Sequence, residues 1–179
     1  MPWAGEAEAV NAGRLNRAPS PLLARAVPWL VVAFGSILQT LPLIASAPVM
    51  PPVGFLFLLA WRQLRPGLLP VWAGLPLGLV DDLYSGQPFG SAMLLWSIAM
   101  IAFDLLEQRF PWRSYLVDWL VAGAVIVAYL VLAATIARAS GTVIVLAPQL
   151  VVSVLVFPLA ERFIALCDRT RLWRFRIVG

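Results

Sequence analysis

The sequence predicts an all-α, polytopic membrane protein, a single bundle of six transmembrane helices, and three observations carry that prediction. Of 179 residues, 61% are hydrophobic and 12% charged, with a mean hydropathy of +0.88. A soluble domain carries about 25% charged residues, so this chain cannot clothe itself in a polar coat. From Val27 it stays apolar almost to Arg162, where a bilayer crossing needs about 20 apolar residues. The positive charge is all arginine, thirteen residues with no lysine, and its placement alternates with the apolar runs.

The elements follow in order. Residues 1–26 hold Glu6, Glu8, Arg14, Arg17 and Arg25 among prolines and asparagines without helical periodicity. They read as a polar, disordered cytoplasmic head. Residues 27–165 form the membrane domain, with spans at Val27–Ala47, Pro48–Trp61, Gly67–Tyr84, Gly90–Leu106, Tyr115–Ala137 and Thr142–Ile164. Residues 166–179 form a basic-aromatic cytoplasmic tail.

The second span is short and opens on Pro51-Pro52, and the third is interrupted by Pro70 and Pro76. A re-entrant hairpin would bury Arg62 and Arg65 at mid-bilayer, at about 2.5–3.5 kcal/mol each. Two crossings place both arginines at a water interface and are preferred. Ala45-Ser46-Ala47 resembles a signal-peptide cleavage site, but the apolar run before it is long for such a peptide and five spans follow. Twelve of the thirteen arginines then fall on one side, against Arg138 alone on the other. By the positive-inside rule both termini face the cytoplasm.

The composition excludes much chemistry. Without histidine or lysine there is no Ser-His triad, Schiff base, zincin site or P-loop lysine. The lone Cys167 forms neither an internal disulfide nor a CxxC pair. No catalytic residue, metal site or cofactor is expected.

The densest polar cluster in the membrane region runs from Gly78 to Gly90 and contains Asp81 and Asp82. Ionisable residues so near hydrocarbon are functional suspects, although a polar turn at the outer surface accounts for the same residue types. Paired acids can hold Mg²⁺ for diphosphate chemistry, but a DDxxD arrangement needs an acid where Ser85 stands. Asp104 and Glu107 share a helix face, and with Arg109, Arg113 and Asp118 they read as an interfacial ion-pair belt. Ser36, Gln39, Thr40, Gln149 and Ser153 are mid-span polar residues suited to bonds between helices. In the tail, Arg169, Arg171, Trp173, Arg174 and Arg176 suit anionic headgroups. A tail this short favours lipid or a protein partner over nucleic acid.

Gly78, Asp82, Leu83, Ser85, Gly86 and Gly90 match, position for position, the Gly-x-x-x-Asp-Leu-x-x-Gly-x-x-x-Gly signature of the bacterial rod shape-determining protein MreD family, which the chain resembles. Tightly spaced helices and a proline-rich second span ending in Trp61-Arg62 agree, over about Val27–Ile164. Asp81 and the long polar head depart from the pattern. The resemblance implies a fold similar to the six-helix substrate-binding subunits of energy-coupling-factor vitamin transporters. It also implies a non-catalytic scaffold in the bacterial inner membrane, associated with MreC, the MreB filament, and RodA with its transpeptidase partner, in the complex that builds side-wall peptidoglycan. In that role the glycines permit a tight turn, which Asp82 fixes by accepting hydrogen bonds. The alternative function is a substrate-binding membrane subunit of a vitamin-type small-molecule transporter.

Overall fold

The structure, a computed structural model, describes residues 21–40, 50–109, 114–137 and 143–171. Among them are six α-helices: α1 Pro21–Leu38, α2 Val53–Leu64, α3 Gly74–Tyr84, α4 Ser91–Arg109, α5 Tyr115–Ile136 and α6 Val143–Arg171, with a 3₁₀ turn, Val71–Ala73, leading into α3. Among the described residues, three stretches are long and apolar enough to cross a membrane: Ser91–Arg109, Tyr115–Ile136 and Leu146–Thr170. Most of the predicted head and the tail residues Trp173, Arg174 and Arg176 lie outside the described residues.

Helix boundaries depart from the sequence expectation where local chemistry is strongest. α1 begins at Pro21 rather than Val27, because proline is pre-set for the first helical position, where its missing N–H costs nothing. α6 continues through Arg171, beyond Ile164. The expected third span, Gly67–Tyr84, is α-helical only from Gly74. Pro70 is extended, at φ −65° and ψ 154°, so helix cannot pass through it. Pro76 sits in the first turn of α3, where no intrahelical N–H bond is lost.

α2 also starts late, after Pro51-Pro52. With 12 residues, α2 rises about 18 Å, shorter than the hydrocarbon core of about 30 Å. It can be short because it is central. Its sequence is apolar on every side, and Phe55, Leu56, Leu58, Leu59, Ala60 and Trp61 are all fully or almost fully buried, as expected for a helix without a polar face. Phe55 stacks on Tyr129 of α5, ring centroids 4.1 Å apart, and lies 5.7 Å from Trp96 of α4. One aromatic cluster thereby joins three helices.

The outside is apolar too. Leu94, Ile98, Ile101 and Leu105 make an exposed stripe along α4, and Val151, Leu155, Leu159 and Leu166 make one along α6. These helical spacings put large side chains where lipid would cover them.

Consecutive helices run antiparallel. The C-terminal ends of α2, α4 and α6 therefore share one end of the bundle with the start of α5, as the bonds from Arg62 to Asp104, from Arg65 to Asp168 and from Gln63 to the Asp118 carbonyl require. This is the arginine-rich end. Gln149 closes the opposite end by donating to the Met50 carbonyl at 2.8 Å, capping backbone just ahead of α2. Pro158 inside α6 removes the N–H that would bond the Val154 carbonyl, and the Trp119 indole N–H of α5 donates to that carbonyl at 3.3 Å. A backbone group freed by proline thus becomes a bond between helices.

Candidate functional site

The Gly78–Gly90 cluster joins the last two turns of α3 to the start of α4. Gly78 is there because the two helices touch. A Cβ at this position would meet Met93 Cα at 2.6 Å and the Ala92 carbonyl at 2.8 Å, both backbone atoms that cannot step aside. Gly74, one turn earlier, lies equally close to the backbone of Trp96 and Ser97. Gly78→Leu is expected to destabilise the protein by about 1–3 kcal/mol through overpacking. Leu83→Ala, at a side chain 66% exposed, should change stability by less than about 0.5 kcal/mol. Thermal unfolding of the purified variants in detergent checks both.

α3 stops at Tyr84. Ser85 forms its C-cap, its N–H bonding the Asp81 carbonyl at 2.8 Å, and Gly86 follows at φ +68°, the left-handed conformation that ends helices. Gly90 takes φ +91°, which turns the chain into α4 and aims its N–H back at α3.

That N–H finds Asp82. The Asp82 carboxylate accepts from Gly90 N–H at 2.9 Å, Ala92 N–H at 2.8 Å and Met93 N–H at 3.2 Å, with the Ser91 hydroxyl at 3.4 Å. Asp82 is only 6% exposed, and it caps α4 from the neighbouring helix. The first N–H groups of a helix have no intrahelical partner, and the positive end of the helix dipole favours an anion. One carboxylate meets both needs.

Asp81 is 1% exposed and serves a different helix. Gln39, at the C-terminal end of α1, donates to its Oδ1 at 2.9 Å, and Ser36 lies beside the same carboxylate. The adjacent acids therefore diverge, Asp81 tying α1 to α3 and Asp82 tying α3 to α4. Among the described residues no group of three or more His, Cys, Asp or Glu side chains could hold a metal ion. Leu83, Tyr84 and Phe89 are exposed around the turn.

A second polar cluster occupies the arginine-rich end. Asp104 and Glu107 do share a face, but their cation is Arg62 of α2, at 2.9 and 2.8 Å, where the sequence pointed to Arg109 and Arg113. Arg113 lies outside the described residues, and Arg109 is exposed. Arg62 was expected at a water interface, but it is 2% exposed; the bundle supplies two carboxylates instead of water. Arg65 pairs with Asp168 of α6 through both Nε and Nη2, at 3.0 and 2.9 Å. Of the tail residues, Arg169 is exposed on the last turns of α6, and Arg171 ends that helix.

Sequence reasoning missed Arg62 as the hub, because its partners lie 42 and 45 residues away. It left Asp81 without a role; the signal was Gln39, a lone amide at the end of an apolar helix.

No curated protein and no solved structure matches the chain, so the implied likeness to vitamin-transporter subunits gains no support. The family model described as rod shape-determining protein MreD matches residues 22–167, which include every described helix except the first residue of α1 and the last turn of α6. Six tightly packed helices, an apolar exterior and the Gly78–Gly90 turn stand within that match. The chain belongs to the MreD family of rod shape-determining membrane proteins.

Proposed function

We propose that this protein is a non-catalytic scaffold of the rod-elongation complex, working in the bacterial inner membrane with both termini in the cytoplasm. It organises side-wall peptidoglycan synthesis by holding MreC, and through it the MreB filament and RodA with its transpeptidase partner. The observation that carries this reading is the family match across residues 22–167, within which the Asp82-capped turn is the most constrained polar feature. The orientation rests on the arginine-rich end, where Arg62, Arg65, Arg162 and Arg169 gather.

In this reading Gly78, Asp82, Ser85, Gly86 and Gly90 fix the shape of the turn, and exposed Leu83 is the motif residue left to meet a partner. The basic tail, Arg169 to Arg176, holds the inner membrane surface through anionic headgroups. A vitamin-transporter subunit would bind its ligand among the outer halves of the first, third and sixth helices. The Gln39–Asp81 bond already joins two of those helices there, and no observation favours that alternative.

Depleting the protein from a rod-shaped host should round the cells, and MreC should co-purify with it from membranes. Cells that kept their rod shape after depletion would contradict the proposal.

A further inference from the structure

At the arginine-rich end, the last turn of α2, the first turn of α5 and the middle of α6 enclose a cleft of about 400 Å³, within the size range of small-molecule sites. Gln63, Tyr115, Asp118, Glu161 and Arg162 are among the residues that line it. The ion pairs among the described residues are made by Arg62 and Arg65 alone. Glu161 and Arg162, neighbours in sequence and opposite in charge, therefore line one cleft without pairing to each other or to any other described residue.

A third group points the same way. Gln63 donates through its amide nitrogen to the Asp118 carbonyl at 2.9 Å, while its Oε1 is buried and accepts no hydrogen bond. Buried acceptors of this kind are normally satisfied. The cleft thus offers acceptors in Gln63 Oε1 and the Glu161 carboxylate, and one cationic donor in Arg162. A purely anionic ligand would meet the Glu161 carboxylate, and a purely cationic one would meet the guanidinium. A zwitterion with hydrogen-bonding N–H groups satisfies both.

The surroundings specify the rest of that ligand. Leu64, Tyr115 and Leu166 are 41%, 64% and 58% exposed, and they lead from the cleft to the apolar flank of the bundle. The cleft sits on the same end as the Arg62 and Arg65 ion pairs, the level at which headgroups meet a membrane protein.

We propose that this cleft binds the headgroup of a primary-amine, zwitterionic phospholipid, phosphatidylethanolamine. Its ammonium lies against Glu161 and Gln63 Oε1, its phosphate against Arg162, and its acyl chains along the flank beside Leu64 and Leu166. Phosphatidylcholine, whose quaternary ammonium has no N–H to donate, fits poorly, and the scaffold reading is not needed for the site to exist.

The test is native mass spectrometry of the delipidated protein, offered phosphatidylethanolamine, phosphatidylcholine and phosphatidylglycerol at equal concentration. The wild type should retain phosphatidylethanolamine at least about tenfold over phosphatidylcholine, the lower end of what one charge-assisted hydrogen bond contributes. Glu161→Gln should lose that preference and retain more phosphatidylglycerol than the wild type does, and Arg162→Gln should weaken retention of phosphatidylethanolamine. Thermal unfolding of each variant confirms that the fold is retained. Equal retention of the two zwitterionic lipids, or a Glu161→Gln variant with wild-type preference, would overturn the proposal. So would a cleft that ignores all three lipids but takes up an arginine-rich peptide in a Glu161-dependent manner, since its occupant would then be a protein segment.

Discussion

Asp82→Leu is expected to destabilise the protein by about 3 kcal/mol, and Asp82→Asn by about 1 kcal/mol. The carboxylate accepts from three backbone N–H groups and a hydroxyl at the start of α4. Hydrogen bonds to a charged group contribute about 1.5–3 kcal/mol each, and a donor left buried without a partner costs about 1–3 kcal/mol. Water at the end of the bundle satisfies part of what leucine leaves behind, which holds the total well below three times the single-bond cost. Asparagine keeps one accepting oxygen and loses the charge that complements the helix dipole. Thermal unfolding of the two variants in detergent should therefore rank wild type above Asn and Asn above Leu. Equal losses would show that the hydrogen-bond geometry contributes nothing beyond the charge.

The second large effect lies at the opposite end. Neutralising both partners of Arg62, as Asp104→Asn with Glu107→Gln, should cost about 3–5 kcal/mol, because it leaves a buried guanidinium without a counter-charge. The Arg62 side chain is 3% exposed, against 37% and 20% for Asp104 and Glu107. Each single change leaves one carboxylate in place and should cost about 1–2 kcal/mol, so the double loss exceeds the sum of the singles. Adding Arg62→Met to the double variant should recover most of the loss, since an apolar replacement for a buried ion pair is often neutral. A double variant as stable as the wild type would contradict the buried geometry.

These two sites differ in how far the sequence disclosed them. The Asp82 turn was legible because its parts are local: Gly78, Asp82, Gly86 and Gly90 fall within 13 consecutive residues, and glycine spacing beside acids has few meanings in an apolar run. The Arg62 cluster was not. Helix spacing links Asp104 and Glu107 to each other and to basic residues nearby, but says nothing about a cation on another helix. The number of helices and the gathering of arginine at one end could be read from hydropathy and charge.

Burial could not be read in the same way. In a membrane bundle the core and the lipid face are both apolar, so α5 and α6 show no polar stripe to mark their outer sides. α2, the least convincing span in the sequence, proves to be the centre of the core, and its shortness has the same cause as its burial: other helices rather than lipid surround it. The boundary at Gly74 was likewise hidden, because two prolines six residues apart leave open which one ends the helix. The structure answers through Pro70, which is extended, and Pro76, which sits in a first turn.

In the proposed role, the Asp82-capped turn holds the shape on which the protein's work in rod-shaped cells depends. The most direct measurement is cell shape in a depleted rod-shaped host complemented with wild type, Asp82→Asn or Asp82→Leu, at matched amounts of protein in the membrane. Full rescue by the wild type, intermediate rescue by Asp82→Asn, and rounded cells with Asp82→Leu are expected. Rods restored by Asp82→Leu to the wild-type level would contradict that role.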